Sequence, residues 1–206
     1  MSTTLATAAN LATDVAAWLA RADQTADIPT MIILAEAKFN RLLRSLEHET
    51  VNPAFPLTGE YVPVPADFLE FKSGYIVGNP KIPLQYLPGD SMNATTTPTT
   101  AYTSVQYFTQ EGTNFRFSPV PSGSVAHIAY FTKLPTLSGV GAAYNWLLQQ
   151  HPDAYLYGTL LEASGRVHDL QQVKGWQSAY SAAIQQITDA DMRKRYGCNG
   201  MAVRCA

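Results

Sequence analysis

The hydrophobic period of this chain changes twice along its length, and that double change limits the folds open to it. From Thr3 or Thr4 to Ala22, apolar residues Leu5, Ala8, Leu11, Val15 and Leu19 recur at the three-and-four spacing of one helix face. The same spacing holds from Pro29 to about Glu47, with Ile32, Ala35, Phe39, Leu42 and Leu46 inward and Lys38, Arg41 and Arg44 outward. It returns at Trp146, restarts at Pro152, and closes with Val173, Trp176, Tyr180, Ile184 and Ile187. Between these ends lies a Pro-, Thr-, Gly- and Tyr-rich stretch with the two-residue period of strands. An apolar helix face needs a partner, and the simplest partner for each end is the other end.

These periods predict an α+β fold: a helical bundle built from residues 1–50 and 142–191, a small antiparallel β subdomain from residues 51–141 inserted in it as a sandwich or open barrel, and an extended C-terminal arm over residues 192–206. Thr3 or Thr4 can cap the first helix, Asp23 to Ile28 reads as a loop, and Pro29 suits a first helical position. Asn52, Pro53, Pro56 and Gly59 announce loop and turns. Tyr61 to Pro65 is extended because each proline pushes its predecessor out of the helical region. Phe68 to Val77 predicts a strand turning at Gly78-Asn79-Pro80 into a hairpin partner over Ile82 to Leu87. Val105 to Thr109 and Asn114 to Phe117 flank Gln110-Glu111-Gly112-Thr113, a second hairpin. Ser124 to Thr132 adds another strand. Tyr75, Tyr86, Tyr107, Phe115, Phe117 and Tyr130 are the expected β core.

The chain's 206 residues are 46% hydrophobic, enough for a core, with a net charge of −2 and a pI near 6.0. No global basic field exists to hold a phosphate backbone, so sequence-specific nucleic-acid binding is disfavoured. The first twenty residues lack Lys and Arg and carry Asp14 within the apolar pattern, which argues against a secretory signal. No apolar run approaches the roughly 18 residues of a membrane helix, so a soluble protein with no membrane partner is expected. Cys198 and Cys205 read as free thiols on a flexible tail in a reducing cytosol, and two thiolates without nearby histidines predict no metal site.

Catalytic patterns are incomplete. Gly89-Asp90-Ser91 matches the nucleophile block of GDSL-type esterases, but no Asp is followed by His at the spacing that orients an imidazole onto the serine. After Pro88 and before a Thr-rich run, the tripeptide reads as a turn. His48-Glu49 begins like a zinc-protease motif, yet Asn52 stands where the second His belongs. Gly139-Val140-Gly141 lacks the third glycine of a dinucleotide loop. No catalytic residue and no cofactor are therefore expected. His151, before Pro152, belongs at a helix start. Glu36, Arg41, Glu162 and Arg166 lie in helices that should pack together, where ion pairs within the bundle or between subunits outweigh acid-base work.

The last stretch carries Arg193, Lys194, Arg195 and Arg204 beside Tyr196, with Gly197 and Gly200 interrupting any helix. It reads either as a disordered solubilising tail or as an arm that folds on a partner.

Four landmarks occur together in this order: Ala17-Trp18-Leu19-Ala20-Arg21-Ala22-Asp23; Ile28-Pro29 with Ile33-Leu34-Ala35-Glu36-Ala37 and Arg41 to Arg44; Val64-Pro65-Ala66-Asp67-Phe68-Leu69-Glu70; and Trp146-Leu147-Leu148 with Pro152 to Gly158 and Leu160 to Ala163. In that order and spacing the chain resembles the head-to-tail adaptor proteins of tailed bacteriophages, a group also similar to the tail tubular protein A of podophages. The resemblance implies a structural virion protein with no enzymatic activity, made in the cytoplasm of a bacterial host and sited at the phage neck. It implies a ring of identical subunits, usually a dodecamer, beneath the portal protein and above the tail nozzle or tail tube protein, through which genomic DNA passes without sequence recognition. It also favours docking of Arg193, Lys194, Arg195, Tyr196 and Arg204 on the portal. Readings from other classes are a small esterase using Ser91 and a generic oligomeric binding module.

Overall fold

The computed structural model describes residues 7–20, 22–95, 105–120, 123–137, 144–164 and 169–197. The fold is α+β, and the chain divides into two compact units: Met1–His48 with Leu134–Ala206, and Glu49–Lys133.

In the helical unit, α1 (Ala8–Leu19) starts at Thr7, whose side chain accepts from the Asn10 amide, so Thr7 takes the capping place expected for Thr3 or Thr4, which lie outside the described residues. A 3-10 turn, Ala22–Asp27, replaces the expected loop. Next, α2 (Ile28–Leu42) buries Ile28, Met31, Ile32, Ala35, Glu36 and Phe39. It stops at Leu43, whose backbone is extended, so Leu42 and Leu46 do not continue the buried stripe and stay exposed. A short 3-10 turn, Leu46–His48, ends this part of the unit.

The helical unit resumes at Leu134. A buried irregular stretch leaves its backbone groups without ladder partners, and side chains supply them here. Leu134 N donates to Asn40 Oδ1 at 2.7 Å, Leu137 N to Glu36 Oε1 at 2.8 Å, and Pro135 O accepts from Asn145 Nδ2 at 2.9 Å. These bonds assign 134–137 to the helical unit rather than to the β subdomain where the sequence boundary at 141 put it. Two short helices follow, α4 (Trp146–Gln150) and α5 (Pro152–Glu162), with His151 between them. The latter is buried nearly all round, through Ala154, Tyr155, Leu156, Gly158, Thr159 and Leu160. Helices α1, α2 and the last one, α6 (Leu170–Tyr196), all pack on it. Asp169 caps α6 by accepting from the Gln171 and Gln172 amides, and Trp176, Tyr180, Ala183 and Ile187 face inward.

The β unit holds two four-stranded sheets. One has the order β1 (Glu49–Leu57), β8 (Ser124–Thr132), β3 (Phe68–Ile76), β4 (Ile82–Pro83). The other has β2 (Tyr61–Pro63), β7 (Asn114–Ser118), β6 (Tyr107–Glu111), β5 (Gln85–Tyr86). Phe55, Phe68, Ile76, Phe108, Phe115, Phe117, Ile128 and Tyr130 from both sheets share one apolar cluster, so the sandwich, not the barrel, is the arrangement found.

Several expectations change here. Residues 49–57 form a nine-residue strand despite Pro53 and Pro56, because β1 lies at a sheet edge and its register shifts between Asn52 and Phe55, where prolines do no harm. Ile82 to Leu87 is not one hairpin partner. Buried Leu84 marks a switch: β4 pairs with β3, while β5 pairs with β6 in parallel in the other sheet. The second hairpin turns on two residues, since Glu111 already pairs with Asn114 and Gly112 takes φ +60. Tyr86 is exposed, Tyr107 is half-buried outside the apolar cluster, and Tyr75 stacks on His127 with ring centres 4.6 Å apart, so Phe55, Phe68 and Phe108 take their places. Finally, Gly89-Asp90-Ser91 opens a short helix, α3 (Gly89–Thr95), rather than a turn, with Met92 fully buried as its anchor.

Candidate functional site

Arg193, Lys194 and Arg195 occupy the last turn of α6, where the free carbonyls at a helix C-terminus favour cations. The helix runs past the arm boundary expected at 192 because this turn is tied down. Asp191, buried on the inner face, accepts from Leu46 N at 2.7 Å and from Arg195 Nε at 2.6 Å. Arg195 reaches on to the carbonyl of Arg44 at 3.1 Å, and Lys194 pairs with Glu47. The stretch Arg44 to His48 is thus a strap across the end of α6. Beneath it His48 is buried: its Nδ1 lies 3.3 Å from Ser45 Oγ and its ring meets Trp146 edge-on at 4.8 Å. Burial, aided by the nearby Arg44 guanidinium, pushes the imidazole pKa down to about 4, so His48 is neutral at neutral pH.

Arg193 and Tyr196 point outward from the same turn and are exposed, while Arg204, with Cys198 and Cys205, lies outside the described residues. The tip therefore presents Arg193 and Tyr196 freely and holds Lys194 and Arg195 in contacts of the unit itself.

A second polar group lies deep in the bundle. Asn145 Nδ2 donates to Tyr155 Oη at 2.6 Å, and the Tyr155 hydroxyl donates to Glu36 Oε1 at 3.3 Å, the same oxygen that receives Leu137 N. Glu36 thus meets neutral donors here rather than a cation, and burial raises its pKa above the ordinary carboxylate value. Glu162 pairs instead with Lys38 at 2.5 Å, Arg41 is exposed near the end of α2, and Arg166 lies outside the described residues. Of the four charges expected to form ion pairs, the three that are described thus separate into a buried hydrogen-bond acceptor, one member of an interhelical pair and a surface cation. The network at Glu36 could have been read from the sequence, since a carboxylate between Ile32 and Phe39 sits on the apolar face. Asp191 and the strap left no such sign.

These groups orient backbone, and the one hydroxyl described beside an imidazole, Ser45 Oγ next to His48 Nδ1, is buried with it under the strap. Their chemistry is that of a scaffold, and the sequence comparison agrees: the model of the SU10 adaptor protein family matches residues 6–204. The chain belongs to that family. No curated protein matches it.

For a phage adaptor the remaining motifs read simply. Ser91 is an exposed residue in the first turn of α3, and the imidazole of the same unit, His127, is stacked on Tyr75. His48 and Glu49 belong to different elements, and Glu49 pairs with Lys72. Among the described residues no three His, Cys, Asp or Glu side chains gather as a metal site would require, and no helix is long and apolar enough to cross a membrane. A phage adaptor is a component of the virion, which places this chain there.

Proposed function

We propose that this chain is a head-to-tail adaptor without catalytic activity, forming a ring, in the dodecameric form usual for such proteins, beneath the portal and joining it to the tail nozzle or tail tube. The observation that carries the reading is the family match across nearly the whole chain. The kinship to podophage tail tubular protein A and the passage of genomic DNA through the lumen without sequence recognition belong to the same proposal. Two features support it. Ile33, Leu34, Leu42, Leu170 and Met192 are large apolar side chains left exposed in the helical unit, as an assembling subunit requires. A 15% charged composition leaves few charges to desolvate in subunit contacts. In the ring, a heterologous contact repeats around a closed axis.

Portal docking is assigned to the end of α6 together with the C-terminal residues beyond it. Arg193 and Tyr196 are exposed for that role, whereas Lys194 and Arg195 would exchange Glu47 and Asp191 for the partner's acidic groups. Two truncations separate the roles. Removing residues 198–206 leaves the strap intact, and removing 192–206 also takes Lys194 and Arg195 from it. Both chains should fold, and neither should join portal-containing heads. Normal yields of infectious particles from the shorter truncation would exclude its segment from docking. Native mass spectrometry of the assembled chain tests the ring, and a Ser91→Ala chain that assembles normally, with no esterase rate to lose, is the outcome expected of a non-enzyme.

A further inference from the structure

Helices α2 and α6 both pack on α5, and two cavities open along the line between them. One, of about 210 Å³, lies among Ala35 and Lys38 of α2, Gly158 of α5, and Val173, Gln177 and Tyr180 of α6. The other, of about 130 Å³, is bounded by Leu42 and Arg44 on one side and by Ile187, Thr188 and Asp191 on the other. Ala35 to Leu42 and Tyr180 to Ile187 are each seven residues, so the two openings lie about 10 Å apart at the helical rise of about 1.5 Å per residue. That is the separation of side chains at positions i and i+7 of an incoming helix.

The first cavity contains an unsatisfied group. Tyr180 is 9% exposed, lines the cavity, and its hydroxyl finds no hydrogen-bond partner among the described residues. A buried hydroxyl without an acceptor is destabilising, and phenylalanine would fill the same space without that cost. Around the openings, Leu34 and Leu42 on α2 are 48% and 58% exposed, and Leu170 on α6 is 72% exposed. Among the described residues the rim is cationic: Lys38, which pairs with Glu162, and Arg41 on α2, and Lys174, next to Val173 on α6.

We infer that the seam between α2 and α6 is a docking groove for an amphipathic helix of another polypeptide, one with an apolar ridge seated in the two cavities, an acceptor for the Tyr180 hydroxyl, and carboxylates along its flank facing Lys38, Arg41 and Lys174. A second copy of this chain does not fit that description. Among the described residues, no helix carries more than one exposed carboxylate, so none supplies an acidic flank. The inference rests on the adaptor reading in one respect: the partner is another component of the same virion.

The test uses the full chain with Cys198→Ser and Cys205→Ser and one new thiol at a time, Leu34→Cys, Gln177→Cys or Thr188→Cys, supplied in place of the natural chain during phage growth. Maleimide labelling is compared between the free subunit and purified particles. Labelling at all three positions should slow at least tenfold in particles. Arg41→Glu combined with Lys174→Glu should cut incorporation at least tenfold while leaving the free subunit's melting temperature unchanged. Tyr180→Phe should raise that melting temperature and yet weaken retention in particles, a pair of effects that a purely structural tyrosine would not give. Equal labelling rates in particles that contain the chain overturn the groove and leave the adaptor reading standing. Cross-links from the groove to a second copy overturn the proposed partner. Particles lacking the chain altogether show, before any labelling, that the adaptor reading has failed and the groove with it.

Discussion

The helical unit encloses Glu36, His48, Asn145 and Thr159 among its apolar side chains, whereas in the β unit the buried polar residues among those described are Thr109 and Ser118, around a cluster of phenylalanines. The difference arises from the groups that each backbone leaves unpaired. In the sandwich, ladders satisfy the strands, and side chains are free to be apolar. In the bundle, the chain runs between helices at Leu134 to Leu137 and at Arg44 to His48, and amides and carbonyls there are met by side chains. Burying Glu36 and His48 gives the bundle fixed connections at the price of sensitivity to pH in the acid range.

The largest expected effects test the apolar half of that contrast. Trp176→Ala removes a buried ring from the bundle, and Phe115→Ala removes the ring that contacts Phe55, Phe68, Phe108 and Phe117 at the sandwich centre. Each should cost about 3–5 kcal/mol in denaturant unfolding. A loss below about 0.5 kcal/mol at either site would be a surface value and would remove that residue from its core.

Glu36→Ala comes next and has no counterpart in the sandwich. It strips the acceptor from Leu137 N and the Tyr155 hydroxyl, and leaving buried donors unpaired should cost about 1–3 kcal/mol. Glu36→Gln keeps an acceptor oxygen and removes the charge. The pKa of Glu36 is raised in the folded protein by burial, so the unfolded chain releases its proton first and stability falls as pH rises from 4.5 through the folded value. The Gln variant should lose that slope and gain on the natural chain at neutral pH. An unchanged slope would show that Glu36 is not the buried titrating group.

Most of the helical unit was legible because its inward residues repeat: Ile32, Ala35 and Phe39, and Trp176, Tyr180 and Ile187, keep one face over several turns. The strands of the sandwich were legible by alternation at Phe68 to Ile76 and Ser124 to Thr132. Residues 49–57 were not, since Pro53 and Pro56 signal a break and only edge position makes them tolerable. The sheet switch at Leu84 depends on which strand lies beside β5, a non-local fact. The same holds for the candidate site. Three cations before Gly197 were visible, but Asp191 meets Leu46 across 145 residues of chain, and nothing local to either announces it. The continuation of α6 to Tyr196 depends on that contact.

His48 offers an effect of similar or smaller size in the opposite direction to Glu36. Its folded pKa, about 4, lies below the ordinary 6.5 because burial, then the Arg44 guanidinium, disfavours the imidazolium. The unfolded chain therefore takes up the proton first, and the contribution is fully present above pH 6.5 and is lost as pH falls from there toward 4. Discounted for screening by water near the strap, the loss should be about 2 kcal/mol. His48→Gln should flatten stability across that window, and a natural chain whose stability is flat there would mean that the strap admits the charged ring.

The smallest pair contrasts two glycines, one in each unit and required for different reasons. Gly158 has ordinary helical backbone, but a Cβ there would sit 2.9 Å from Phe39 Cζ and 3.3 Å from Tyr180 Cε2. Gly158→Ala must therefore push rings apart in a packed core, at about 1–3 kcal/mol. Gly112 has open space around its would-be Cβ and a φ of +60, so Gly112→Ala meets no atom and is strained only in its backbone, at about 1 kcal/mol. Asparagine separates the two causes, because it tolerates the left-handed region better than alanine yet is larger. Gly112→Asn should recover part of the alanine loss, while Gly158→Asn should be worse than Gly158→Ala. Urea unfolding of the four variants checks the pattern. If asparagine were the poorer substitute at Gly112 as well, its neighbourhood would be crowded, and the hairpin tip would be a packed site rather than an open turn.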